Sequence, residues 1–131
     1  MKTLHIINFV FIILLLAGIC VAEELVVSNS LRDIQTRTME IEQLIEDYDS
    51  LKNTQIVLAI DNLEDKWAVD ESNLCFMVNH KNIQEIGQEI AKIKQYVSSD
   101  DVDAARVSLY SIKFYCHSYL HFMGANLHNV L

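Results

Sequence analysis

Residues 31–48, LRDIQTRTMEIEQLIEDY, decide the fold. Leu31, Ile34, Thr38, Ile41, Ile45 and Tyr48 follow one another at steps of 3, 4, 3, 4 and 3. That spacing tracks the turn of an α-helix and lines one side of it with mostly apolar groups, whereas a half-buried strand alternates in twos. Thr38 is the weak point of the stripe.

Working outward, the same pattern recurs three times. A turn over Asp47 to Ser50, where Asp49 or Ser50 can cap free backbone amides, leads to a second helix with Ile56, Ile60, Leu63 and Trp67 on one face. Val57, Leu58 and Ala59 fill out its interior, so it is expected to be the most buried helix. A third helix follows Ser72 and carries Phe76, Asn79, Ile83, Ile86, Ile90, Ile93 and Val97, tolerating Gly87 at about 1 kcal/mol relative to alanine. The run Ser98 to Asp101 reads as a turn plus helix cap. Beyond it Ala105, Leu109, Ile112, Cys116, Tyr119 and Met123 share a face, and Gly124 reads as the residue just past the helix end. The chain has no proline and 3 glycines, too little punctuation for hairpins or sandwiches. The prediction is all-α, with residues 25–123 helical, breaks near 49, 72 and 99, and the third break the sharpest.

Laying residues 41–74 over 90–123 pairs Ile41 with Ile90, Leu44 with Ile93, Ile56 with Ala105, Ile60 with Leu109 and Leu63 with Ile112. The offset is a whole number of heptads, so matching seams are automatic; the coincidence of the polar turns is the informative part. Two helical hairpins result, weakly suggesting an internal duplication. Short turns make neighbours antiparallel, so the hairpins should close as a small antiparallel bundle.

Ahead of the bundle, Ile6 to Ala22 is apolar except for Asn8, and as a helix this run would span about 25 Å. Its end, AGICVAEE at residues 17–24, admits several readings. Cys20 and Ala22 suit a signal peptidase cutting before Glu23, while Ile19 is too large for the position before an acylated cysteine. Against cleavage, Leu25, Val26 and Val27 resume the apolar pattern, so a helix can run on without the loop a peptidase needs. The expectation is an uncleaved single-pass signal-anchor over residues 1–22 and an extracytoplasmic domain over residues 23–131. Lys2 then lies inside and Glu23 and Glu24 outside. The alternative is secretion after cleavage following Ala22. All 18 acidic residues and all but one of the 10 Lys and Arg fall in the second part, an acidic surface that argues against nucleic acid as a partner.

Several stretches carry a family resemblance. They are Trp67 towards the end of the second helix, NHKNIQEI at residues 79–86 with His80, DDVDAARVSLYSI at residues 100–112 with Ala105 and Leu109, and the terminal LHNVL at residues 127–131. With the apolar amino terminus, they resemble a clostridial, membrane-anchored, all-helical domain-of-unknown-function family, family 4363. The resemblance covers the whole chain through loose motifs. It implies an envelope location and gene neighbourhoods with small multi-pass membrane proteins, and it implies no activity. FYCHSYLH at residues 114–121 is richer in Cys and His than that family's pattern.

That last stretch invites metal chemistry. His117 and His121 are one helical turn apart and His80 lies on the preceding helix, so these three are the candidate metal ligands, with Cys116, Cys75 and His128 nearby in sequence. The metalloprotease helix motif fails, because Ser118 stands where its glutamate base belongs. Packing levels place His80 near Tyr119, but His117 and His121 fall off the core seam, so solvent-facing histidines are the simpler account. Matching levels put Cys75 and Cys116 about 12 Å apart along the bundle axis, beyond disulfide reach, so two reduced thiols are expected, with a bridge left open if the helices slip or connect differently; Cys116 and His117 point about 100° apart, unsuited to a catalytic pair. Acidic pairs such as Asp70/Glu71 and Asp100/Asp101 read as helix-start charges, and the acidic loops lack the glycine of an EF-hand. Phe114, Tyr115, Tyr119 and Phe122 read as core and interface. No cofactor and no catalytic residue is expected.

Three function classes remain: a non-catalytic interaction or scaffolding module, a metal-binding protein using the His/Cys cluster, and a hydrolase or redox enzyme. The first is preferred. Its expected partner is another envelope membrane protein, with the membrane itself engaged through the amino-terminal helix.

Overall fold

The computed structural model describes the backbone of residues 2–78 and 80–128, and the side chains of these except residues 2–4, 80, 82 and 123–128. Among the described residues there are four helices and no strand: α1 (Lys2–Tyr48), α2 (Thr54–Leu74), α3 (His80–Ser99) and α4 (Val102–His128). Each packs on the next and α4 returns to α1, so the helices form a closed ring of four antiparallel neighbours. Helix α1 runs unbroken through 47 residues, about 70 Å. Its first part stands clear of the bundle and its first buried residue is Val27.

The expected stripes form the core. Ile34, Ile41 and Ile45 of α1, Ile56, Ile60 and Leu63 of α2, Ile83, Ile90 and Ile93 of α3, and Leu109 and Ile112 of α4 are all buried. Thr38 also sits in the core, where its hydroxyl donates to the Ile34 carbonyl at 2.8 Å and so keeps no unmet polar group. Leu51 lies in the first connection yet is fully buried, closing the core at the end remote from the amino terminus.

The first and third breaks fall where expected and both turn on an aspartate in the left-handed region, Asp49 at φ 50° and Asp100 at φ 56°. At α1 a single bond runs from the Asp49 N–H to the Ile45 carbonyl. At α3 the Asp100 N–H donates to the Val97 carbonyl and the Asp101 N–H to the Tyr96 carbonyl, the paired Schellman arrangement. The third break is the tightest, only Asp100 and Asp101, and the Asp101 carboxylate caps α4 by accepting from the Ala104 N–H at 3.1 Å. The cap of α2 is Asn53, accepting from the Gln55 N–H at 2.8 Å, in place of the expected Asp49 or Ser50.

The second break follows Leu74, later than expected. Ser72 donates its hydroxyl back to the Val69 carbonyl and does not cap a new helix; α2 continues until Leu74 is buried. Asp70 and Glu71 therefore lie inside α2 and do not open α3. Phe76, placed on α3 by its spacing, falls in the connection. Helix α4 also passes through Gly124 to His128, a glycine in a helix interior costing only about 1 kcal/mol. The left-handed turns at Asp49 and Asp100 do not superpose at the seam offset, because the first connection spans residues 49–53 and the third only two residues. The matching halves express the heptad of the bundle and not a shared turn.

Candidate functional site

Helix α4 carries the candidate ligands, and its register decides their surroundings. With Ala105, Leu109, Ile112 and Cys116 turned inward, positions 107, 110, 114, 117 and 121 fall on the opposite side. His117 and His121 are accordingly exposed, their rings stacked at 6.4 Å between centroids and 13° between planes. His80 opens α3, but its side chain lies outside the described residues, as do the side chains of Met123 and His128 and the whole of Asn79. Among the described residues no group of three or more His, Cys, Asp or Glu is placed to hold a metal ion.

The rest of that outer face is apolar. Val107, Tyr110 and Phe114 are 66%, 65% and 55% exposed. Of the aromatic set, Tyr115 and Tyr119 pack against the core, while Phe114 and Phe122 face outward. The outer stripe is legible as a second 3-and-4 spacing in the same helix, hidden by the inner one.

The three cysteines are unpaired: Cys20 is exposed, Cys75 half-buried and Cys116 buried. Burial pushes the Cys116 thiol up to about 12, so it is a neutral, unreactive group at pH 7. Cys116 faces the core while His117 faces outward, so the two side chains stand on different sides of α4.

Between α2 and α3 runs an open groove of about 510 Å³ lined by Glu64, Trp67, Glu71, Gln84, Gly87 and Gln88. Trp67 is buried and its indole Nε1 has no hydrogen-bond partner. A Cβ at Gly87 would stand 2.9 Å from that nitrogen, so the glycine, legible from sequence only as a tolerated flaw, makes room for the indole. Lysines join neighbouring helices around the bundle. Lys94 of α3 pairs with Glu64 and, at 3.4 Å, with Asp61 of α2; Lys66 of α2 joins Asp70 and, at 3.7 Å, Asp33 of α1. Lys113 of α4 reaches Glu42 of α1. The half-exposed pairs, such as Lys94 with Glu64 and Asp61, are worth at most about 1 kcal/mol each, whereas Asp70 is buried and Lys66 compensates a carboxylate removed from water.

At the end of the bundle remote from the amino terminus, Asp100 ties two connections together. Its carboxylate accepts from the Ser50 hydroxyl at 3.1 Å and from the Leu51 N–H at 2.6 Å, locking the buried Leu51 under the third turn. Asp49, Asp101 and Asp103 stand around the same crevice. Of these carboxylates, Asp100 clamps the first connection and Asp101 caps α4, and Arg106 stands beside them.

Against this geometry, residues 22–130 match the family model described as a domain of unknown function (DUF4363). The chain belongs to DUF4363. The match takes in the whole four-helix ring and begins where the apolar run ends. No curated protein and no solved structure matches the chain. Membership in DUF4363 brings no activity and no assigned site residue. Ahead of the ring, α1 is long and apolar enough to cross a membrane, with an 18-residue stretch of mean hydropathy 2.6.

Proposed function

We propose that this DUF4363 protein is a membrane-anchored, extracytoplasmic helical module that acts by docking an envelope membrane protein, without catalysis. The observation that carries this reading is the outward stripe of Val107, Tyr110 and Phe114 on α4, three large apolar groups in register opposite the core face. A helix apolar on both sides is ordinarily covered on both. The continuous α1 supports an uncleaved anchor, since it leaves no unwound segment at Ala22 for a peptidase, and the lone Lys2 before the apolar run favours an inside amino terminus.

Affinity capture of the full chain from gently solubilised native membranes tests it. A stoichiometric envelope membrane protein should come down with the wild type and be lost with Tyr110→Asp plus Phe114→Asp, while circular dichroism shows helix content unchanged. The same captured set with both chains would overturn the reading. Intact mass should begin at Met1; a product starting at Glu23 would make the protein secreted.

A second reading, metal binding, is favoured by one observation, the exposed His117 and His121 on a common face. It requires micromolar zinc to raise the melting temperature and His121→Ala to abolish that rise.

A further inference from the structure

We propose that the anchor-side end of the bundle rests in the headgroup layer of a zwitterionic lipid bilayer, with Phe76 and Phe122 as its membrane contacts. The proposal rests on reading the apolar run of α1 as a membrane anchor.

Heights along the bundle can be read from one layer of side chains. Val27 and Leu31 of α1, Leu74 of α2 with Val78 just after it, Ile83 and Ile86 of α3, and Tyr115 and Tyr119 of α4 surround one small void, and its members nearest the amino-terminal run, Val27, Leu74, Ile83 and Tyr119, lie within about a helical turn of one another in height. Ala22, where the apolar run ends, lies five residues or about 7.5 Å below Val27. Phe122 lies three residues below Tyr119, about 4.5 Å, and Phe76 lies in the connection just beyond Leu74. The Phe122 backbone therefore stops about 3 Å short of the level of Ala22, and Phe76 stands on the connection at the same end of the bundle. The headgroup layer on each side of a bilayer is about 5 to 7 Å thick, so Phe122 falls within it and Phe76 lies on the connection beside it.

The side chains at this level suit that solvent. Phe76 is 92% exposed, the largest exposure of any large apolar residue among those described, and Phe122 is 67% exposed. Leu25 and Val26, on the turn of α1 between Ala22 and Val27, are also exposed. The apolar run is shorter by about 5 Å than a typical hydrocarbon core of about 30 Å, a mismatch relieved when the next apolar turn and the bundle base settle towards the lipid. Glu23 is exposed at the same level and the bundle is acidic, which disfavours an anionic surface and selects zwitterionic headgroups.

The test uses the full chain reconstituted in phosphatidylcholine vesicles. Trp67, the sole native tryptophan, is buried and supplies a constant background. Phe76→Trp and Phe122→Trp each add one indole at the proposed contact, and Leu58→Trp adds one on the exposed surface near the other end. The added emission at 76 and 122 should lose most of its intensity in phosphatidylcholine brominated on its acyl chains and resist acrylamide; the emission at 58 should do the reverse. Acrylamide quenching at 76 and 122 without bromine quenching would show a bundle standing clear of the membrane. Protection from both would show a protein covering that end; either result overturns the proposal. Flotation of the wild type separates the two readings. A chain that does not float with the vesicles removes anchor and contact together, whereas one that floats and leaves Phe76→Trp in water removes the contact alone.

Discussion

Leu51 and Phe76 occupy corresponding places: each is a large apolar side chain in the connection between two helices, one at each end of the same bundle. Leu51 is 0% exposed and Phe76 is 92% exposed. Around Leu51, a cap from Asn53, a left-handed Asp49 and the Asp100 clamp satisfy the backbone and press the side chain into the core. Around Phe76, the chain leaves α2 through bonds from the Met77 and Val78 N–H groups to the Leu74 carbonyl, and the aromatic ring is turned away from the core. The remote end is built to exclude water from its apolar residue. The opposite end displays one, and it does so where the membrane-spanning candidate enters the bundle.

The comparison breaks most directly at Leu51. Leu51→Ala should cost about 2 to 5 kcal/mol, since it empties a fully buried site closed over by a clamped turn, and chemical unfolding of the full chain in detergent would read it as a lower midpoint. Asp100→Ala should follow at about 2 to 4 kcal/mol, combining the loss of charge-assisted bonds from Ser50 and Leu51 with alanine in the left-handed region. Asp100→Asn, which keeps acceptor and turn, should recover part of that loss.

The two left-handed aspartates sharpen the contrast. Asp49 shares the backbone geometry of Asp100 without spanning two connections, so Asp49→Gly should be neutral or stabilising by up to about 1 kcal/mol, whereas Asp100→Gly should destabilise. Equal signs for the two glycine variants would show that the clamp contributes nothing. The smallest effect is expected at the other end, where Phe76→Ala should leave the unfolding midpoint in detergent within about 0.5 kcal/mol of wild type. A loss comparable to that of Leu51→Ala would mean that the ring packs against the bundle and that the two ends are alike.

Much of the site was legible in part only. The spacing that turned Cys116 inward also put His117 and His121 off the seam, and they are exposed on the outer face. The same spacing, read from Val107, would have revealed the apolar stripe they extend. Trp67 was visible as a core residue, but its fit against Gly87 was not, because α2 and α3 supply one partner each and their rotation sets the gap. Ser72 shows the local limit: a hydroxyl that caps a helix in one setting bonds back to its own helix in another, and the burial of Leu74 chose between them.

By itself the sequence determined the class and the order of the elements. Heptad-like apolar spacing without proline forces helices, short polar runs force reversals, and an unbroken apolar start continued by Leu25 to Val27 extends the first helix into the bundle. These are periodic or nearest-neighbour effects, carried by residues a few positions apart. Tertiary structure alone decided that Asp100 would clamp the first connection, that Leu51 would close the core, and that Phe76 and Phe122 would be left exposed at the end of the bundle nearer the amino-terminal run. Each of those outcomes joins groups on different helices, and their meeting depends on helix rotation and height, which are set when four apolar stripes pack against one another at once.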